Sequence, residues 1–134
     1  QPKKIYDFLK KKKPSYLKIL NKKFPIERRG FDYSNRNIFE KPIFEKKKNF
    51  FRFRYLREYV EKAYNIKNIK LKSEQISALN FLDSLIESKR FQKKFMLNRG
   101  DIIIFNNNIL AHGRTKFSLG SNADQRTLIR VWIK

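Results

Sequence analysis

The last third of the chain constrains the fold most, because it has the pattern of short strands joined by turns. Residues 95–97 are apolar, residues 101–105 are apolar after Asp101, and Asn-Arg-Gly at 98–100 separates them, which predicts two short buried strands joined by a turn. The three asparagines at 106–108 predict a second turn. Residues 126–134 then alternate in character, as expected for a closing strand of the same sheet.

One histidine and two arginines in this region could support chemistry. His112 is the only histidine in the chain, and a lone histidine at a strand end is more often a structural residue than a ligand. Arg126 and Arg130, however, fall on one face of the closing strand, where Arg130 lies between Leu128 and Trp132. A guanidinium on an otherwise apolar face needs an anionic partner, and a carboxylate matches its geometry best. The combination predicts a metal ligand beside a carboxylate clamp.

These motifs resemble a known family. The stretch GDIIIFNNNILAHGRTKF followed by RTLIRVWI resembles the C-terminal half of the TauD/TfdA (taurine dioxygenase-like) Fe(II)- and 2-oxoglutarate-dependent oxygenases, most closely the clavaminate synthase and asparagine oxygenase branch. The resemblance implies that His112 is the distal iron ligand and that Arg126 holds the far carboxylate of 2-oxoglutarate. It implies that Arg130 is a second active-site arginine, whose partner is cosubstrate or substrate. The implied cofactors are Fe(II), 2-oxoglutarate and O2.

The resemblance also implies a fold and a reaction. We expect an α+β chain that forms the C-terminal portion of a double-stranded β-helix (jelly roll), an incomplete barrel with flanking helices. Residues 1–134 would be a single partial domain, with a helical and loop lead-in at 1–41 and the strands and a brace helix at 42–134. The expected activity is a dioxygenase that hydroxylates a small polar substrate, such as an amino acid.

The iron site implied by the resemblance is not complete in this sequence. The chain begins with Gln1-Pro2 and its only methionine is Met96, so we expect the C-terminal part of a longer polypeptide. In this family the first histidine and the carboxylate come from a His-x-Asp or His-x-Glu motif, which is not found here. Asp101 matches a turn position and Asp124 a loop, so neither is assigned as the iron carboxylate.

The first half of the chain predicts helices and one hairpin. Apolar residues among the lysines of residues 3–22 predict a surface helical hairpin, with Pro14 opening its second helix. Residues 24–30 predict a break, followed by a turn-rich stretch through residue 40. Residues 42–55 have a strand–turn–strand pattern.

Two further helices are predicted in the middle of the chain. One begins near residues 56–64, and the other covers residues 74–88 with Ser73 as its N-cap. In the second, an apolar stripe at helical spacing predicts a brace packed on a sheet, and it consists of Ile76, Leu79, Leu82 and Ile86.

Basic and aromatic residues alternate in the second strand of the predicted hairpin. Phe51, Phe53 and Tyr55 alternate with Arg52 and Arg54, which is typical of single-strand nucleic-acid binders but also of any half-buried strand. We favour ordinary core packing. The segment FRYLREY also resembles an Arg-Tyr-x-Arg segment near the family's active site, which implies that Arg54 or Arg57 lies on the substrate side.

Composition leaves the choice of partner open. Lys+Arg number 33 against 12 Asp+Glu, a net charge of +21 that would ordinarily suggest a polyanion partner. Lys, Asn, Ile and Phe are abundant together, however, as in a chain encoded by A+T-rich codons, so we favour a small-molecule substrate over nucleic acid. A non-catalytic basic binding module and an inactive family remnant remain the alternatives.

The sequence also limits the compartment. The absence of cysteine excludes disulfides and thiolate metal sites. No apolar run approaches the roughly 20 residues needed to span a bilayer, and no signal-peptide pattern starts the chain. We therefore predict a cytoplasmic protein without membrane contact, and the sequence gives no oligomeric state.

Overall fold

The structure is a computed structural model of the chain, and it describes residues 1–27, 38–106, 109–113, 129 and 131. Within these residues the architecture is α+β, with four helices and two small antiparallel sheets. In chain order the elements are α1 (Pro2–Lys12), α2 (Pro14–Leu20), β1 (Lys23–Glu27), β2 (Ile38–Pro42), β3 (Phe44–Lys47), β4 (Phe50–Phe53), α3 (Arg57–Ile66) and α4 (Ser73–Glu87).

The first two helices confirm the predicted helical hairpin. Each begins with a proline in its first turn, where the missing N–H has no intrahelical partner to lose. Ile5 and Leu9 of α1 and Leu17 and Leu20 of α2 are buried, so the lysines between them face outward. The hairpin was predicted to lie on the surface, whereas both of its helices contribute side chains to the core.

The predicted break at residues 24–30 is wrong for residues 24–27, which lie in β1. This strand pairs antiparallel with β2, with Pro25 opposite Glu40, so the turn-rich stretch also ends earlier than predicted. Phe24 and Ile26 are buried, and α3 packs on this strand. A proline is tolerated on the edge of a two-stranded sheet because the edge has no ladder hydrogen bond to lose, and burial of the two flanking apolar residues stabilises the strand.

The β3–β4 hairpin confirms the strand–turn–strand prediction. Phe44 lies opposite Phe53 and Lys46 lies opposite Phe51. The ring centroid of Tyr6 on α1 is 5.6 Å from that of Phe44 and 5.8 Å from that of Phe51, both in edge-to-face geometry. The aromatic face of the hairpin therefore packs into the core. Core packing of Phe51 and Phe53 is the role that we favoured over nucleic-acid binding.

The helix predicted as a brace on a sheet forms as α4, one residue earlier than predicted, but its main contact is with helix α2. Its N-cap is Lys72, not Ser73, and the Lys72 backbone N–H donates to Gln75 Oε1 at 2.9 Å, while the lysine side chain makes no cap hydrogen bond. The helix packs against α2 and buries Ala78, Leu79, Leu82 and Leu85. Ile76, predicted in the apolar stripe, is 39% exposed because it lies beyond the edge of this contact.

The predicted buried strands at residues 95–97 and 101–105 are wrong for this structure. Neither stretch forms a strand, and Phe95, Ile102 and Ile104 are 60%, 84% and 82% exposed. A strand needs a hydrogen-bonded neighbour, and neither stretch belongs to the β1–β2 or the β3–β4 sheet. The turn between them is confirmed, because Asp101 N donates to Asn98 O at 3.2 Å and Gly100 has φ +90°.

The predicted closing strand at residues 126–134 lies mostly outside the described residues. Only Ile129 and Val131 of this stretch are described, outside any strand and 88% and 76% exposed. None of the helices in the described ranges is both long and apolar enough to cross a bilayer.

Candidate active-site residues

His112 lies in an exposed segment without helix or strand, which a turn directs back towards residue 105. The carbonyl of Asn106 accepts backbone N–H groups from Ile109 at 3.2 Å and Leu110 at 3.1 Å, which confirms the second predicted turn. The His112 imidazole then packs on the Phe105 ring, with centroids 4.3 Å apart and planes inclined at 55°. An exposed imidazole held against one ring is accessible to a metal ion.

The donor set around His112 does not make an iron site by itself. Non-haem Fe(II) oxygenases use two histidines and one carboxylate, whereas this sequence has a single histidine. Over the described residues no group of three metal-ligating side chains comes together. Asp101 Oδ2 accepts the Asn98 backbone N–H at 2.7 Å, which agrees with its expected turn role. No catalytic step can therefore be derived through iron from these residues.

The two arginines of the predicted carboxylate clamp, Arg126 and Arg130, lie outside the described residues. Their distance from His112 and their role in binding 2-oxoglutarate stay predictions.

Arg57 is the best-anchored of the predicted site residues. Its Nη1 donates to Asp83 Oδ2 at 2.9 Å and its Nε donates to Glu61 Oε1 at 2.6 Å. The hydroxyl of Tyr55 donates to the other oxygen of Asp83, at 2.5 Å. We call Tyr55, Arg57, Glu61 and Asp83 the α3–α4 network, because it ties the start of α3 to the middle of α4.

The network shifts the titration of two of its members. Burial raises the pKa of the Tyr55 hydroxyl well above its usual value, and the hydrogen bond to the Asp83 carboxylate raises it further. Burial alone would lower the pKa of Arg57, but hydrogen bonds to Glu61 and Tyr55 raise it above its usual value. Tyr55 is therefore a neutral donor and Arg57 a permanent cation, which suits a structural network.

Sequence reasoning found Arg57 but not its partners. Glu61 could have been found, because an acidic residue four positions after an arginine on a helix is a common ion pair. Asp83 lies on another helix, so nothing in the local pattern indicates that its two oxygens serve Tyr55 and Arg57.

Arg54 has a different environment. Its guanidinium carbon is 5.7 Å from the centroid of Phe39 on β2, and its backbone N–H donates to Ile43 O at 2.9 Å. The side chain lies on the exposed side of the hairpin's end, whereas Arg57 turns towards α4. The structure therefore places the two substrate-side candidates in separate surroundings.

Among the clefts of the described surface are two open ones that none of the predicted site residues lines. One of about 300 Å³ lies between α3, the connector that follows it and α4, around Tyr64 and Ile69. The other, of about 250 Å³, lies between α1 and the β3–β4 hairpin. The described residues thus form a folded scaffold, and the candidate site residues that they include line neither of these two clefts.

Comparison with known protein families identifies the family of this chain. A search of curated proteins found no match. The family model described as taurine catabolism dioxygenase TauD, TfdA family, matches residues 3–132. The match includes the helices, the hairpin, His112, Arg126 and Arg130. Because this match covers nearly the whole sequence, the chain belongs to the TauD/TfdA family.

Proposed function

We propose that this chain is part of an Fe(II)- and 2-oxoglutarate-dependent dioxygenase. Enzymes of the TauD/TfdA family generally use Fe(II), 2-oxoglutarate and O2, and the family match to residues 3–132 is the observation that carries the proposal. We place the chain in the clavaminate synthase and asparagine oxygenase branch, because its Gly-Asp strand sequence, Asn turn, His-Gly-Arg and spaced arginines occur in that order. The substrate we propose is a small polar molecule, such as an amino acid, that becomes hydroxylated.

His112 is the proposed iron ligand of this chain. Its exposure and its contact with Phe105 support the role, because the ring is accessible and its orientation is limited by the neighbouring ring. Since the sequence holds one histidine, the second histidine and the carboxylate would be contributed by residues outside these 134. Bound iron would supply the oxidation chemistry, and the part of this chain would be to hold ligands in place.

The proposed role of Arg126 is to bind the far carboxylate of 2-oxoglutarate, and that of Arg130 is to bind cosubstrate or substrate. A planar guanidinium and a carboxylate form two parallel hydrogen bonds, which fixes the orientation of a dicarboxylic acid before reaction. On the substrate side the candidates are Arg54 and Arg57, and the donors of Arg57 serve Glu61 and Asp83. Arg57 would act as a positioning residue.

Substitution of Arg126 tests the cosubstrate assignment. In the iron-loaded enzyme, Arg126→Ala should raise the KM for 2-oxoglutarate about thirtyfold or more, since truncating one partner of a charge pair costs roughly 2–5 kcal/mol. Arg126→Lys should recover part of this loss because it keeps the charge. The measurement is succinate formation as a function of 2-oxoglutarate concentration. A KM equal to that of the wild type in Arg126→Ala would remove the assignment.

A further inference from the structure

Several lysines line the cleft between α1 and the β3–β4 hairpin, and the proposed oxygenase function gives them no role. We call it the hairpin cleft. It is lined by Lys3 and Tyr6 of α1 and by Lys46, Lys47, Lys48 and Phe50 of the hairpin, and no acidic residue lines it. All four lysines are exposed, and the cleft is open to solvent. Four lysines thus line one open cleft, with Lys46 and Lys47 on opposite faces of the hairpin.

A few cations of the described surface pair with carboxylates, and Lys3 and Lys48 are not among them. Elsewhere, Lys62 pairs with Glu27 at 2.6 Å and Lys67 pairs with Glu40 at 2.9 Å. In the hairpin cleft the ion pair formed is Lys47 with Glu45, at 3.9 Å and with the lysine side chain 75% exposed, which contributes little. Among the described residues no carboxylate lies within ion-pairing distance of Lys3 or Lys48.

Aromatic rings lie among these charges. Lys46 Nζ is 5.2 Å from the centroid of Tyr6, and the Arg52 guanidinium carbon is 4.8 Å from the centroid of Phe50, which is 37% exposed. Arg52 Nε is buried and has no hydrogen-bond partner in the described part of the chain. A cation stacked on an exposed ring, next to unpaired ammonium groups, is an arrangement that binds phosphates and stacks bases.

We propose that the hairpin cleft binds the phosphate backbone of a single-stranded nucleic acid, with Phe50 as a stacking platform for a base. The lysines would neutralise neighbouring phosphates, and a net charge of +21 would draw the polyanion to the protein. A lipid surface fits less well, because membrane-surface elements insert a broad apolar face, whereas the hairpin directs Phe44 and Phe53 into the core. The proposal is independent of the oxygenase function.

The test compares two double substitutions that remove equal charge. Lys47→Gln with Lys48→Gln changes the hairpin tip, where both side chains are exposed. Lys93→Gln with Lys94→Gln is the matched control, an exposed pair distant in sequence from the hairpin. Fluorescence anisotropy with a labelled thymidine oligonucleotide, over a series of salt concentrations, measures the affinity of each protein.

The hairpin variant should bind about tenfold or more weakly at moderate salt, and its salt slope should fall by about 1.4, since each phosphate contact on a single strand contributes about 0.7. The control should stay within about twofold of the wild type. Phe50→Leu should weaken oligonucleotide binding about fivefold or more without changing the salt slope, because it removes stacking and no charge.

Three outcomes would overturn the proposal. Equal losses in the two double variants would show that net charge alone attracts the oligonucleotide. Full competition by millimolar inorganic phosphate would assign the cleft to a small phosphate compound. Binding to phosphatidylserine vesicles without binding to the oligonucleotide would assign the surface to lipid.

Discussion

At the scale of residues, the α3–α4 network shows how one carboxylate can organise a junction. Asp83 accepts from both Tyr55 and Arg57, so each of its oxygens is used, while Glu61 takes the remaining guanidinium edge. Glu61 is more exposed than Asp83, with side chains 48% and 33% exposed. The two carboxylates should therefore differ in their contribution to stability.

Neutralising each carboxylate separates these contributions. Asp83→Asn should lower the free energy of unfolding by about 1–2 kcal/mol, because it weakens a charged hydrogen bond and the tyrosine's acceptor. Glu61→Gln, the matched control on the same arginine, should cost about 0.3–0.5 kcal/mol, as for exposed helix pairs. Urea unfolding measures both values. Equal effects would mean that Asp83 has no special place in the network.

The raised pKa of Tyr55 predicts a pH dependence. Tyr55 keeps its proton in the folded protein, whereas in the unfolded chain it ionises near its ordinary pKa of 10.0. Above pH 10 the unfolded state releases the proton first, so stability is present below that pH and is lost as pH rises. Tyr55→Phe removes this dependence, and the stability of wild type should therefore fall more steeply than that of the variant above pH 10. Parallel urea-unfolding curves for the two proteins across this range would contradict the assignment.

At the scale of elements, the helices were predictable and the strands less so. The apolar spacing of α4 predicts its buried side from local sequence alone, since a helix satisfies its own hydrogen bonds. The pattern at residues 101–105 predicted a strand, and the structure has none there. Conversely, a break was predicted at Phe24 and Ile26, and both residues lie in a strand. A strand depends on a partner distant in sequence, which a local pattern does not contain.

Two substitutions on α4 test the division between its buried and exposed sides. Leu79 is fully buried, so Leu79→Ala should lower the free energy of unfolding by about 2–5 kcal/mol through lost burial and a residual cavity. Ile76, on the same helix and 39% exposed, should cost distinctly less when replaced by alanine. Thermal or urea unfolding compares the two variants. Similar losses at both positions would contradict the packing of α4 described here.

The candidate site was predictable to the extent that its residues are close in sequence. The asparagine turn after residue 105 predicted a change of chain direction, and in the structure that turn brings His112 onto Phe105. The contacts of Arg57 were not predictable, because they depend on how α3 packs beside α4. The proposed proximity of His112 to Arg126 would likewise depend on packing between distant segments. Arg126 lies outside the described residues.

At the scale of the whole molecule, family membership and the iron chemistry rest on different observations. The family match extends over residues 3–132 and includes both the helical first half and the His-Gly-Arg region. The single histidine of this sequence could supply one of the two histidine ligands that the family's iron chemistry requires. The central claim is therefore that His112 is an iron ligand of a 2-oxoglutarate dioxygenase.

Fe(II)-dependent conversion of 2-oxoglutarate to succinate under O2, in the enzyme with its full iron site, tests this claim most directly. Wild type should form succinate only with added Fe(II), and His112→Ala should lose this turnover while keeping its helical circular-dichroism spectrum, because His112 is exposed and outside the core. Iron-dependent succinate formation by His112→Ala at the wild-type rate would contradict the account.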